Sequence, residues 1–393
     1  MQAKNQWLAF LLAALTAIGP FSIDTYLPAF PAMIADLGTN KFQLQQTLTV
    51  YMGAFAAMVL WHGALSDRYG RRPILIASTL LYALASLVCA FASSVHWLWI
   101  GRALQGLCAG AGMVVGRAMI RDLYDGARAQ RLMAQVMLIF GVAPAVAPML
   151  GGALQDMFGW RAIFVFLTLF GCGLAWMCWR MLPETLAPEK RQPFALLALA
   201  RAYREVLTHR EFMLLSVAMS VMFNGYFLYI VSAPQFIFEH LGLGAHGLNA
   251  LFLPGVGCMM LGSLVSARVA GRWSARRSIG AALIVMAIAI VVELAFNLSP
   301  VPRWLIIAPV AFYNFGIASV MPTLSLMSLD IFPERRGMAS SCQGFVQVGV
   351  NTLTTGLLAP LLWTTPLTLA LGATACFLLS LLLLYAWSRR VAR

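Results

Sequence analysis

The chain has 393 residues, of which 61% are hydrophobic and only 10% are charged. This composition excludes a soluble globular domain, in which roughly 25% of residues are charged. The formal net charge of +13 is compatible with binding of nucleic acid, but the distribution of the basic residues along the chain argues against that partner.

Twelve apolar segments are long enough to cross a membrane, since a spanning helix needs roughly 20 mainly apolar residues. We place them near residues 7–30, 44–64, 74–94, 97–118, 132–154, 161–181, 211–236, 247–268, 278–297, 303–327, 338–360 and 365–387. Lipid offers no hydrogen bonds to the backbone, so each segment must be a helix. The first is too long for the core of a cleaved signal peptide. The sequence therefore predicts an all-α membrane protein with twelve transmembrane helices.

The basic residues indicate how these helices are oriented. With the amino terminus inside, 23 of the 27 Lys and Arg residues fall in inside segments, whereas Lys41, Arg161 and Arg303 fall outside. This asymmetry follows the positive-inside rule. We therefore predict that both termini are cytoplasmic and that the net charge reflects topology.

A polar stretch from Pro183 to Arg210 divides the helices six and six. We predict an amino-terminal six-helix bundle (residues 1–181), a cytoplasmic loop (182–210) and a carboxyl-terminal six-helix bundle (211–393). The glycine and basic residues after the second helix return more weakly at residues 262–277, where Ser266 replaces Asp67. Two pseudo-symmetric halves with a site between them are typical of secondary transporters.

Asp24 is the first candidate site residue in chain order. Apart from Glu211 at the very start of the seventh segment, Asp24 and Glu293 are the acidic residues that fall inside predicted helices, where carboxylates are costly and indicate function by default. Because desolvation disfavours the charged form of a carboxylate, Asp24 is our candidate for binding and releasing a proton. The alternative is an interfacial residue at a helix end marked by Pro28 and Pro31. Glu293, four residues before Asn297, we expect to be interfacial.

The turn after the second helix is unusually charged; it contains Gly63, Asp67, Arg68, Gly70, Arg71 and Arg72. The glycines permit turn geometry and close backbone approach. Asp67 can pair with Arg68, Arg71 or an arginine of the fourth helix, forming a latch that one conformation keeps and another breaks. The alternative is that the arginines only anchor the topology.

Arg102 lies inside the fourth predicted helix, with Gln105 one turn later. A charge within lipid is expensive, and Arg102 falls at the predicted depth of Asp24, so the two can interact directly or through a substrate. The alternative is a structural ion pair or carbonyl contact. Arg121 and Asp122 follow this helix and complete the predicted cytoplasmic gate.

The fifth predicted helix is rich in glycine and proline; it contains Gly141, Pro144, Pro148, Gly151 and Gly152. Proline bends a helix and glycine permits close helix contact. We therefore predict a bent, closely packed helix that seals the two halves. The alternative is the ordinary glycine and proline content of a membrane helix.

Polar and aromatic residues of the central helices are candidates for a substrate cavity between the halves. They are Tyr26, Gln46, Tyr51, Gln105, Asn224, Tyr229, Gln235, Asn314, Gln343 and Gln347. A mainly apolar pocket with a few polar groups suits varied lipophilic compounds. Each residue can equally form a helix–helix hydrogen bond.

Several of these motifs together resemble a known family. Residues 63–72 resemble the signature loop between helices two and three of the major facilitator superfamily, and residues 98–106 resemble its arginine-containing second motif. Residues 141–152 resemble the motif associated with its antiporters, with Ala147 where a glycine is usual. Residues 24–31 and 117–122 resemble the bicyclomycin/chloramphenicol-resistance branch of drug:proton antiporters.

This resemblance implies proton-coupled efflux of lipophilic or amphipathic drugs across the bacterial inner membrane by alternating access. It implies coupling through Asp24 and Arg102, peripheral third, sixth, ninth and twelfth helices, and a monomer whose partners are drug, protons and lipid. No cofactor or metal is expected, since the sequence contains neither a GxxxxGK[ST] loop nor a CxxC pair.

Three alternatives remain open. The same fold could take up a nutrient by proton symport, or it could export one specific small metabolite. A membrane-embedded enzyme would need His, Cys or carboxylate residues clustered within the bundle, and the five histidines are scattered near the ends of the spans. We therefore expect a transporter rather than an enzyme.

Overall fold

The computed structural model of the protein describes residues 2–124, 126–191, 196–244 and 247–391. Within these ranges the chain is helical, with short connecting turns and no strand. It divides into two compact units, Met1–Leu196 and Leu197–Arg393. Each unit contains six of the twelve predicted spans.

The helices of the first unit are α1 (Gln2–Asp24), α2 (Phe30–Asp36), α3 (Lys41–Tyr69), α4 (Arg71–Ala90), α5 (Val95–Ala109), α6 (Ala111–Leu123), α7 (Gly126–Phe158) and α8 (Arg161–Met181). Helices α5 and α6 meet at Gly110 and together form one span. Within this unit α1 packs against α7, α3 against α5, and α4 against α8.

The helices of the second unit are α9 (Leu196–Thr208), α10 (Arg210–Val231), α11 (Leu248–Val269), α12 (Ala275–Leu298), α13 (Ile307–Leu329), α14 (Arg336–Leu353), α15 (Ala359–Leu362) and α16 (Pro366–Val391). Two π-helical turns, Gln235–His240 and Thr354–Leu358, extend α10 and join α14 to α15. Here α10 packs against α16, α11 against α13, and α12 against both α13 and α16.

Eleven helical segments within the described residues are long and apolar enough to cross a membrane. The remaining long helix, α7, occupies the position of the predicted span near 132–154 and contains Pro144 and Pro148. The prediction of an all-α membrane protein is confirmed.

Two boundaries differ from those predicted. The first span does not end at Pro28 and Pro31, because a 3₁₀ turn (Leu27–Ala29) and α2 continue it to Asp36. The predicted loop 182–210 contains α9, whereas its residues 192–195 lie outside the described part of the chain.

Candidate functional site

The first span is interrupted directly after Asp24. Pro28 has no amide hydrogen, so it cannot donate the helical hydrogen bond to the carbonyl of Asp24 four residues earlier, and a 3₁₀ turn (Leu27–Ala29) includes Pro28. The Asp24 side chain is only 4% exposed. Within the described residues its carboxyl group has no hydrogen bond or ion pair. The interruption therefore leaves a buried acid without a partner.

Arg102 on α5 is completely buried, with 0% exposure. Its Cζ atom lies 4.6 Å from the centroid of the Tyr26 ring and 4.3 Å from that of Tyr51. Its Nη1 atom donates to Oε1 of Gln105 at 2.8 Å, whereas Nε and Nη2 have no hydrogen-bond partner in the described part of the chain. Aromatic faces attract a desolvated cation by about 2 kcal/mol or more. The two tyrosines therefore stabilise a charge that has no acidic partner.

A buried hydrogen-bond network holds the groups around Arg102. Gln105 donates through Nε2 to Oγ of Ser86 at 2.6 Å. The hydroxyl groups of Tyr26 and Thr47 are 2.8 Å apart. These bonds join α3, α4 and α5 to the interruption after α1, so the first unit positions Arg102 from several directions.

Asp24 and Arg102 do not form a direct ion pair in this structure. Tyr51 is instead the residue close enough to interact electrostatically with both of them. The predicted coupling residues are thus linked through a tyrosine that the sequence suggested only as a cavity residue.

Helix α7 reaches this site through Gly151. A Cβ atom at Gly151 would overlap the backbone carbonyl of Thr25, the residue after Asp24, whereas a Cβ at Gly152 would meet nothing within 4 Å. Gly151 therefore allows α7 to contact the interruption after α1. Of the other residues named in the fifth predicted helix, Gly141 and Pro148 are buried and Pro144 is partly exposed.

A second cluster surrounds the turn between α3 and α4. Arg71 is bonded through Nη1 to Oδ1 of Asp67 at 2.5 Å and to Oγ of Ser66 at 2.6 Å. Its Nε atom lies 3.1 Å from Oδ2 of Asp122. Gly70 forms the turn with a φ of +101°, a conformation that favours glycine. Arg71 is the partner that the structure gives to Asp67.

Glu184, which the sequence did not suggest, completes this cluster. Its carboxylate accepts hydrogen bonds from the backbone amides of Arg71 at 3.0 Å and Arg72 at 3.2 Å, at the start of α4. A carboxylate at a helix amino terminus satisfies free amides and the helix dipole. A Cβ atom at Gly70 would overlap Glu184. In the sequence, the feature that could have indicated this role is the position of Glu184, three residues after the sixth predicted helix.

Two residues of the predicted gate lie outside the Arg71 contacts. Arg68 lies over the ring of Tyr69, with 5.1 Å from Cζ to the centroid. Arg121 is exposed. Arg72 takes part through its backbone amide, which donates to Glu184, whereas its Nη2 donates to the carbonyl of Trp179 at 2.5 Å.

Predicted cavity residues of the second unit form an amide network. Asn224 donates through Nδ2 to Oδ1 of Asn351 at 2.8 Å, and Gln347 donates to the same oxygen at 3.2 Å. Asn314 donates to the carbonyl of Gly255 at 2.9 Å. These bonds connect helices within one unit.

The other predicted cavity residues have separate surroundings. Gln343 accepts a hydrogen bond from Ser325 at 2.9 Å, and Gln235 is buried with Oε1 unpartnered. Gln46 is partly exposed on α3. These side chains are not brought together into one site by the contacts within the two units.

A cavity of about 250 Å³ lies beside Asn224 within the second unit. Its lining is mainly apolar and includes Leu228, Leu362 and Cys376, with Thr354 at the start of the second π-helical turn. The Thr354 hydroxyl and Oδ1 of Asn224 have no hydrogen-bond partner. This cavity is a candidate for holding an apolar ligand with a polar group.

The expectation that Glu293 is an interfacial side chain is wrong. Glu293 on α12 is 2% exposed, because α13 and α16 pack against α12 and the Tyr229 side chain of α10 reaches the carboxyl group. The hydroxyl of Tyr229 donates a hydrogen bond to its Oε1. The Tyr229 hydroxyl, which we suggested for the substrate cavity, is therefore already hydrogen-bonded to Glu293. The signal in the sequence was a carboxylate within a predicted span.

Comparison with known proteins gives consistent results. The family model described as Major Facilitator Superfamily matches residues 11–353. A chloramphenicol resistance protein of Pseudomonas aeruginosa is 31% identical, with 91% of this chain and 87% of the relative covered. A bicyclomycin resistance protein homolog of Haemophilus influenzae is 27% identical, with 99% and 98% covered. A bacterial homologue of the human lysosomal transporter Spinster has a similar fold, with a TM-score of 0.71, 18% identity, and 98% and 97% covered.

Proposed function

The chain belongs to the Major Facilitator Superfamily, and we propose that it exports lipophilic or amphipathic drugs across the bacterial inner membrane in exchange for protons. It is a multi-pass membrane transporter and not an enzyme. The drug-resistance names of the two relatives support the choice of cargo. Cytoplasmic termini and a monomeric state are part of the proposal.

The observation that carries the proposal is that two buried ionisable side chains of the first unit, Asp24 and Arg102, form no ion pair among the described residues. Among the residues that the structure describes, Asp24 is buried without a basic partner and Arg102 without an acidic one. A buried carboxylic acid is more readily tolerated when it is protonated. Loss of the Asp24 proton would create a negative charge that interacts with Tyr51, which also interacts with Arg102. Proton binding and release would therefore change the electrostatics of the site.

In the proposed cycle Asp24 takes up a proton when the site is open to the outside. After the change of access the proton leaves to the cytoplasm, and a drug binds near Tyr51 and Arg102. Nε and Nη2 of Arg102, which have no partner among the described residues, can donate to a polar group of the drug. Inward movement of each proton also gains roughly 2.3 kcal/mol per 100 mV of membrane potential.

The Arg71 cluster is proposed as the latch at the cytoplasmic end. Arg71 is 7% exposed and contacts both Asp67 and Asp122. Breaking such contacts without new partners would leave a buried guanidinium unpaired, at a cost of several kcal/mol. A conformational change that opens this end would therefore need to replace them. The latch would favour one state of the transport cycle.

The experiment that tests the proposal measures accumulation of ethidium and chloramphenicol in bacteria that lack their own main drug pumps. Cells expressing the protein should accumulate less of at least one compound, and a protonophore should abolish the difference. Accumulation above that of the empty-vector control would contradict export and favour proton-coupled uptake. Equal accumulation across a broad drug panel would favour a specific metabolite as cargo.

A further inference from the structure

The second unit contains a buried acid that the proposed mechanism does not use. Glu293 lies in a helix of apolar residues and is 2% exposed. The described residues provide no Lys, Arg or His that forms an ion pair with it. Intramembrane carboxylates of this kind are rare and are associated with ion or proton pathways.

Every element packed around Glu293 presents neutral groups to it. Helix α10 contributes Tyr229, whose hydroxyl donates to Oε1 of Glu293. Helix α13 contributes Tyr313, which is close enough to interact electrostatically and donates its own hydroxyl to the carbonyl of Met222 at 3.1 Å. Helix α16 contributes Cys376 beside Tyr313. An ionised Glu293 would have no opposite charge beside it.

The nearby turn Arg303–Ile306 also packs against α12, but its basic residue points to another partner. Arg303 is exposed and donates through Nη1 to the carbonyl of His240 at 3.3 Å. Along α12, Asn297 donates to the backbone carbonyl of Glu293 at 2.9 Å, not to the carboxyl group. Among the described residues, Tyr229 is therefore the one that provides a hydrogen bond to the carboxyl group.

This geometry is compatible with two protonation states. Without a nearby cation, burial favours the neutral acid. The Tyr229 hydroxyl also stabilises the ionised form, because a hydrogen bond to a carboxylate is stronger than one to a neutral oxygen. The Tyr229 hydroxyl, with no cation nearby, therefore lets Glu293 gain or lose a proton without strongly favouring either form.

The position of Glu293 along its helix indicates where the proton would enter. Glu293 lies five residues before Leu298, where α12 ends, or roughly 7.5 Å at the rise of an α-helix. The basic residues Arg276 and Arg277 lie at the opposite end. By the charge rule, the near end of α12 faces away from the cytoplasm.

We propose that Glu293 and Tyr229 form a second proton-binding site, located in the second unit and accessible from the end of α12. Binding of the proton there is independent of the drug, whereas its use in transport rests on the proposed exchange of drug for protons. Because Asp24 belongs to the other unit, each unit then contains one buried acid that exchanges protons.

Infrared difference spectroscopy of the full-length protein in lipid nanodiscs tests the binding step. The wild type should have a protonated-carboxyl band that disappears as the pH rises. This band should be absent in Glu293→Gln, shifted in Tyr229→Phe and retained in Asp24→Asn. Both substitutions at the site keep the shape of the side chain, so folding should be preserved. If no band that depends on Glu293 responds to pH, the proposal is wrong.

Proton release from inverted vesicles tests the use of the site in transport, with tetraphenylphosphonium as the probe. Glu293→Gln should release fewer protons per bound cation than the wild type. Unchanged release would overturn a role in transport. If the wild type itself releases none, the proposed drug exchange fails for this probe, and the infrared result still decides whether Glu293 binds a proton.

Discussion

The guanidinium group of Arg102 lies over the ring of Tyr51, with 4.3 Å between Cζ and the ring centroid. Tyr26 provides a second ring at 4.6 Å. The basic group is thus stabilised by aromatic faces rather than by a carboxylate. This leaves Asp24 free to change its protonation state without breaking an ion pair.

Replacing Tyr51 with leucine should impair transport strongly. Loss of one desolvated cation–π contact is worth about 2 kcal/mol, which corresponds to roughly a 30-fold change. The initial rate of drug uptake into inverted vesicles should fall by up to that factor. The matched control is Tyr51→Phe, which keeps the ring and should retain most of the rate. Equal loss in both variants would assign the role to the hydroxyl group instead.

Asp24→Asn should abolish proton release triggered by drug while leaving the protein folded. An amide is cheaper to bury than an unpaired carboxylate, so the melting temperature should be unchanged or higher. The control is Asp36→Asn, which removes the charge from an exposed ion pair with Arg161 at 2.6 Å, and exposed ion pairs contribute little to stability. Proton release in the control should equal that of the wild type. Normal release by Asp24→Asn would exclude Asp24 as the carrier.

Gly151→Ala should destabilise the first unit by about 1–3 kcal/mol, because its new methyl group must push α7 away from the Thr25 carbonyl. Its neighbour Gly152 is the matched control, since a Cβ there meets nothing within 4 Å. Thermal unfolding in detergent measures the difference. Similar melting temperatures for the two variants would contradict the close contact between α7 and the end of α1.

Glu184→Gln should weaken the start of α4, because a carboxylate at an exposed helix amino terminus contributes about 0.3–1 kcal/mol. Glutamine keeps one acceptor and loses the charge. The control is Glu189→Gln, at an exposed position of the same connection. We expect a lower melting temperature only for the first variant. A loss of the same size in both would indicate a general effect of net charge.

The architecture could be predicted because it follows from the number and orientation of the apolar segments. The Asp67–Arg71 pair was also accessible, since both residues lie in one turn. The contribution of Glu184 was not, because the residues it caps are more than a hundred positions earlier in the chain and the contact depends on packing of α8 against α4.

Glu293 illustrates a different limit of sequence reasoning. Its place near the end of an apolar helix is compatible with either lipid interface or protein interior. The outcome depends on the large side chains of Tyr229 and Tyr313 on two other helices. Similarly, the stacking of Arg102 between Tyr26 and Tyr51 required three separate segments to converge. Spacing along one helix shows which residues share a face of that helix, but not which other helix covers that face.

Gly70 is subject to two independent restrictions, a φ of +101° and the presence of Glu184 where a side chain would begin. A shorter residue at position 184 would relieve only the second. Substituting Gly70 therefore remains unfavourable even if Glu184 is replaced first, because the positive φ still disfavours a side chain. During evolution Gly70 should therefore change rarely, even in descendants that transport other compounds.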